Sequence, residues 1–202
     1  MPFIEYEQKK ILFIHIPKTG GTSVEGWLES LAPLRFHTAG ALAPLRCTPQ
    51  HLRMSDFNAL FGLGFFDYVF AISRNPYTRL ESEYRMKMAQ REGGFFQRRP
   101  SFSQWLERNL DRAAEDPWHQ DNHFRPQWDF VGSDVKLFQL EQGLDSILNE
   151  VATQLNLPVP QSVGHALSTQ KIAEAVEWDE VDRLRVQERY RRDFKRFGYP
   201  LE

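Results

Sequence analysis

Ile11-Leu-Phe-Ile-His-Ile-Pro-Lys-Thr-Gly-Gly-Thr-Ser23 decides the fold class. Ile11–Ile16 is a near-continuous apolar run of strand length, the pattern of a strand buried on both faces of a parallel sheet. Pro17 stops it, a glycine loop with one lysine follows, and Thr22 to Leu31 carries Val24, Trp27, Leu28 and Leu31 at helical spacing. A strand, a glycine loop and a helix in that order build an anion site. Paired glycines let backbone N–H groups turn toward phosphate oxygens, and the helix adds its positive end. The alternative is a plain turn in which Thr22 or Ser23 is an ordinary N-cap. In the ATP loop G-x-x-x-x-G-K-[ST] the lysine follows the last glycine. Lys18 precedes Gly20 and Gly21, so a Walker loop does not match.

Working outward, Asp67–Ser73 is a second buried-strand candidate and Val135–Leu140 a third. Helices are expected from Thr48-Pro49 to near Gly62, from Asn75-Pro76 to about Arg91, and from Ser101 to about Leu110. Two more follow at Leu144–Leu155 and Trp178–Phe197. Residues 32–48 read as irregular with a short strand near Leu34–His37, and the stretch from Pro158 to Gly164 as a loop. Residues 111–134 are polar and aromatic. Alternating strands and helices imply an α/β fold, a three-layer sandwich with a mainly parallel central sheet flanked by helices. Ligands in such sheets bind at the carboxyl ends of the strands.

The chain has 202 residues, 41% of them hydrophobic and 13% aromatic, enough for one substantial core. A single domain over 1–202 is expected, with residues 92–134 as a lid or acceptor-binding insertion. The net charge of −2 offers no bulk field for nucleic acid. The basic run from Arg183 to Arg196 is broken by Glu188 and Asp193, as on a solvated helix face. Cys47 is the single cysteine, so no internal disulfide forms and a reducing compartment fits. Met1–Lys10 lacks an apolar signal core, and Ile11–Ile16 is too short to span a membrane. A cytoplasmic protein without a membrane span is expected; the oligomeric state is left open.

The second informative segment is Phe70-Ala-Ile-Ser-Arg-Asn-Pro-Tyr-Thr-Arg-Leu-Glu-Ser-Glu-Tyr84. It places Arg74 at the end of a strand beside a helix start, where a bidentate phosphate contact is natural. Alone, Arg74 reads as a surface ion pair. Together, Pro-Lys-Thr-Gly-Gly-Thr-Ser and, about 50 residues later, Arg-Asn-Pro-x-x-Arg-x-x-Ser-x-Tyr resemble the sulfotransferases that use 3′-phosphoadenylyl sulfate (PAPS). The likeness is to the carbohydrate branch that includes heparan sulfate 2-O- and chondroitin-type enzymes. Asp121-Asn-His-Phe-Arg-Pro-Gln127 and Arg192-Asp-Phe-Lys-Arg-Phe-Gly-Tyr199 are weaker likenesses. The resemblance implies a P-loop-like fold with PAPS as co-substrate and PAP as product. Pro17, Lys18, Thr19, Gly20, Gly21, Thr22 and Ser23 then hold the 5′-phosphosulfate, and Arg74 with Ser82 the 3′-phosphate. It also implies a carbohydrate or small-molecule acceptor. Eukaryotic members carry membrane anchors and cysteine pairs; this chain has neither, which points to a soluble bacterial member.

Sulfuryl transfer is an in-line displacement that needs a base on the acceptor hydroxyl, or less often amine, and positive charge on the departing phosphate. Lys18 supplies the charge. No metal is expected, because the transferred group carries little charge. Histidine is the natural base near neutral pH. His51 comes first, in a His-x-x-x-x-Asp-Phe setting like that of the heparan 2-O-type enzymes. His123 is second, His37 third, and a carboxylate such as Glu83 stays open. His15, on the buried strand, reads as structural. His119 and His123 lie four apart but lack a convincing third metal ligand. Trp118, Phe124 and Trp128 are either stacking platforms for a sugar or adenine, or core aromatics. Two rival functions remain: a non-catalytic PAP- or PAPS-binding protein, and a small-molecule kinase using ATP.

Overall fold

The computed structural model describes residues 1–38, 40, 44–90, 99–160 and 176–201. They fall into two compact units, residues 1–74 with 127–160 and residues 75–126 with 176–201. Residues 92–98 of the expected insertion and 161–164 of the expected loop lie outside the described residues.

The first unit is built on a four-stranded sheet in the order β1-β2-β3-β4. These strands are β1 Phe3–Tyr6, β2 Lys9–Ile14, β3 Tyr68–Ser73 and β4 Lys136–Gln139. β1 pairs antiparallel with β2, while β2, β3 and β4 run parallel. Ile11, Leu12, Phe13 and Ile14 are all fully buried, as a strand covered on both faces requires. Helices α1 (Gly21–Leu31) and α5 (Leu144–Leu155) set Val24, Trp27, Leu28, Ile147, Leu148 and Val151 against Ile11, Phe13, Phe70 and Ile72 on one face. At the β1 edge, Phe3 packs with Phe61 and Phe66, and Phe57 of helix α2 (Met54–Phe61) joins that aromatic cluster.

One strand is new here and two expectations change. Met1–Lys10 contains β1, which turns into β2 through Glu7 and Gln8 at φ 45° and 67°. A two-residue hairpin needs such left-handed residues, and glycine or asparagine is the usual signal. The strand near Leu34–His37 reduces to one bridge between Phe3 and Arg35. The helix expected from Thr48 to Gly62 is two pieces, a 3-10 turn at Pro49–His51 and then α2. Leu52 and Arg53 between them are extended, and the Asp56 carboxylate accepts the Arg53 N–H at 2.8 Å and restarts the helix.

The second unit is helical: α3 Pro76–Gln90, α4 Phe102–Glu115, α6 Glu180–Arg189 and α7 Arg191–Phe197. Ser101 caps α4 reciprocally with Gln104, as its sequence predicts. α4 runs past Leu110 to Glu115, since Ala113 still faces the core. The long closing helix is broken at Tyr190 (φ −106°, ψ 19°), whose fully buried hydroxyl donates to the Phe124 carbonyl. Arg79, 1% exposed, donates to the carbonyls of Arg125 and His123 and so fixes the turn that carries them. Among the described residues no helix is long and apolar enough to cross a membrane.

Leu148 lies at the centre of the α5–sheet contact, fully buried. Leu148→Ala is expected to cost about 2–5 kcal/mol of stability, measured by urea unfolding. An effect under about 1 kcal/mol would contradict this packing.

Candidate anion-binding and active site

β2 delivers the chain into the loop through a tight turn, with Ile16 N–H donating to the Ile14 carbonyl at 3.0 Å. The Thr19 hydroxyl is buried and donates to the Ile16 carbonyl at 2.8 Å, closing the loop on itself. Lys18 and Gly20 both take left-handed conformations, at φ 71° and 88°. Gly20 occupies the N-cap position of α1, and no side chain caps that helix. Thr22 and Ser23 lie inside the first turn, so the plain-turn reading with a hydroxyl N-cap does not hold. The first N–H groups of a helix have no partner within it, and here they rise directly from the glycine loop.

The two glycines serve different needs. Gly20 supplies the left-handed turn. Gly21 supplies clearance: a Cβ there would lie 2.1 Å from Nε2 of His15. His15, 7% exposed, directs its other nitrogen, Nδ1, to Oε1 of Glu25 at 2.5 Å. His37 Nε2 lies 3.3 Å from the second Glu25 oxygen. Burial pushes the Glu25 carboxyl up, but the His15 hydrogen bond and the charges of His15, His37 and His51 outweigh it and hold it below its ordinary 4.5. His51 sits edge-on to His15, with ring centroids 4.9 Å apart. It is 4% exposed; Thr48 Oγ1 lies 3.4 Å from its Nδ1 and Gln50 Nε2 3.3 Å from its Nε2. His15 thus stands beside His51, and Glu25, which carries no motif in the sequence, is its partner. The signal available was spacing: Gly21 and Glu25 stand four apart on one helix face.

Arg74 leaves the end of β3 and donates from Nη1 to the Lys18 carbonyl at 3.3 Å, joining the second motif to the first. Its backbone is clamped by Gln127, a fully buried side chain that accepts from Arg74 N–H at 2.9 Å and donates to the Arg74 carbonyl at 2.8 Å. Lys18, Gly20, Gly21, Arg74 and His51 thus belong to the first unit. Along α1, a cavity of about 590 Å³ opens beside Thr22, Ser23, Gly26 and Trp27 and is bounded by Pro158 and Pro160.

Ser82 and His123 belong to the second unit. Ser82 is buried on α3, one residue before Glu83. Glu83 Oε2 lies 2.7 Å from Nδ1 of His123. His119 is bonded through Nε2 to Asn109 at 2.9 Å, and burial followed by the nearby Arg112 charge pushes it toward the neutral form. Phe124 is fully buried against Trp105, a core aromatic rather than a ligand platform.

A model of the sulfotransferase family matches residues 1–200, and the chain belongs to that family. Neither the curated proteins nor the solved structures contain a match to it.

Because Glu25 titrates lower in the folded chain than in the unfolded one, its ionisation favours folding above about pH 4.5. That contribution is lost as pH falls through the lower folded value. The stability advantage of wild type over Glu25→Gln is therefore expected to shrink between about pH 6 and pH 3 in thermal unfolding. A constant difference would show that folding does not shift the carboxyl, and an advantage that grows as pH falls would show that the fold holds it neutral.

Proposed function

We propose that this member of the sulfotransferase family transfers a sulfuryl group from PAPS to a hydroxyl of an acceptor, with carbohydrate the favoured class. The observation that carries the reading is the junction of the uncapped α1 start, the left-handed loop and Arg74, whose guanidinium reaches the Lys18 carbonyl. Such a junction suits an anion bearing several negative oxygens. We take the fold as P-loop-like and three-layered, and the chain as one sulfotransferase domain in which residues 92–134 form the acceptor-side insertion. The lone cysteine, where eukaryotic members of the carbohydrate branch carry cysteine pairs, supports a cytoplasmic bacterial enzyme.

In this reading Pro17 through Ser23 hold the 5′-phosphosulfate, while Arg74 and Ser82 hold the 3′-phosphate. The acceptor oxygen attacks sulfur in line, the bond from sulfur to the phosphate oxygen breaks, and PAP departs. Lys18 and the loop N–H groups stabilise the negative charge gathering on that oxygen. His51 takes the acceptor proton. With Thr48 accepting from Nδ1–H, the basic lone pair is on Nε2, where the Gln50 amide donates and must give way to the acceptor hydroxyl. His123, steadied by Glu83, is the second candidate base. A kinase reading lacks a lysine after the glycines.

Calorimetry separates these readings. PAP is expected to bind in the micromolar range and ATP not at all; ATP binding without PAP binding would overturn the assignment. Lys18→Ala is expected to depress turnover, and Arg74→Ala chiefly to weaken PAP. His51→Ala is expected to lower the sulfate-transfer rate by roughly 10²–10⁴-fold. Near-normal rates in that variant, with loss in His123→Ala, would move the base to His123.

A further inference from the structure

Glu25 has no place in the mechanism above, yet it is 5% exposed and ionised in the first turns of α1, beside an anion loop. A buried negative charge there is unfavourable for phosphate binding unless something balances it. Two imidazoles lie against it: His15 at one oxygen, 2.5 Å away, and His37 at the other, 3.3 Å away. His15 also touches His51 edge to face, and the His51 charge is felt at Glu25. We propose that Glu25 is the positioning residue of the base, the buried carboxylate that steadies positive charge on His51, with the His15 ring in contact with both.

The proposal rests on His51 being the base. When His51 accepts the acceptor proton, it becomes a cation in a site 4% exposed, where desolvation opposes the charge. A fixed carboxylate one ring away offsets that cost without competing for the proton, because both of its oxygens are already engaged. The charged groups acting on Glu25 from the surrounding elements are His15 at the end of β2, His37 after α1 and His51 in the turn before α2. Arg53, just beyond that turn, is held by Asp56 and Asp129. Gly21 fixes the geometry, since the His15 ring rests against its bare Cα.

The test is a titration of the histidine ring nitrogens by ¹⁵N NMR in the full chain without nucleotide, His51 being assigned with His51→Gln. Glu25→Gln is expected to lower the proton affinity of His51 about tenfold, one pKa unit. His37→Ala strips one imidazole from the carboxylate and is expected to raise it. The acid limb of kcat/KM for sulfate transfer should follow, to lower pH in the first variant and to higher pH in the second. General loosening of the fold would move both variants in one direction, and that result would overturn the proposal. So would a His51 that titrates unchanged in both while His15 and His37 move. Calorimetry with PAP keeps the two readings apart. If PAP binds and His51 does not shift, the Glu25 assignment fails alone; if wild type fails to bind PAP, the sulfotransferase reading itself fails.

Discussion

The His15 imidazole fills the space that any side chain at position 21 would need, and much of the first unit follows from that contact. A Cβ on Gly21 would lie 2.1 Å from the ring, so the helix can start there only as glycine. With glycine, the strand end and the helix start approach closely enough for the loop between them to close on the Thr19 hydroxyl. The residue one turn further along α1 then faces the same ring. That residue is Glu25, and a buried ring nitrogen finds its partner there at 2.5 Å. Steric clearance at one position and charge pairing at the next turn are one packing arrangement.

Such an arrangement is a poor source of net stability and a strong source of specificity. A buried carboxylate costs several kcal/mol to desolvate, and pairing returns that cost only when both oxygens are engaged. Glu25 meets the condition through His15 and His37. The second unit holds a looser pair: Glu83, 1% exposed, meets His123 through one oxygen, and Lys87 stands 3.7 Å from the other. Arg79 in that unit spends its donors on two carbonyls, which makes this motif arginine a holder of the 122–125 turn. An arginine in a phosphate-binding pattern need not touch phosphate.

The legible parts of this chain were those with local signals. The apolar runs at Ile11 and Phe70 marked strands buried on both faces, and α5 was read from Leu144 to Leu155 without error because its spacing is regular. The glycine loop and Arg74 were visible as types in order. β1 was not, because its hairpin turn uses Glu7 and Gln8 in place of glycine or asparagine. The breaks at Leu52 and Tyr190 were hidden for another reason: each depends on a contact, Asp56 with Arg53 and Tyr190 with Phe124, that propensity does not encode. Glu25 and Gln127 escaped notice on the same ground. Both act through partners distant in sequence or on another element, and an isolated Glu or Gln announces neither.

The lysine's position ahead of the glycines has a structural consequence. Lys18 adopts φ 71°, a conformation that is uncommon for a residue with a Cβ and persists where surrounding contacts impose it. Arg74 binds the carbonyl of that same residue, and Gln127 clamps the backbone of Arg74 on both sides. The strain at Lys18 is therefore held by an arginine from the next strand rather than by the loop alone. In a Walker loop the lysine belongs to the helix and the glycines precede it. Here the lysine backbone is part of the turn, so loop conformation and Arg74 placement are a single constraint, and ligand contacts to one motif must be felt by the other.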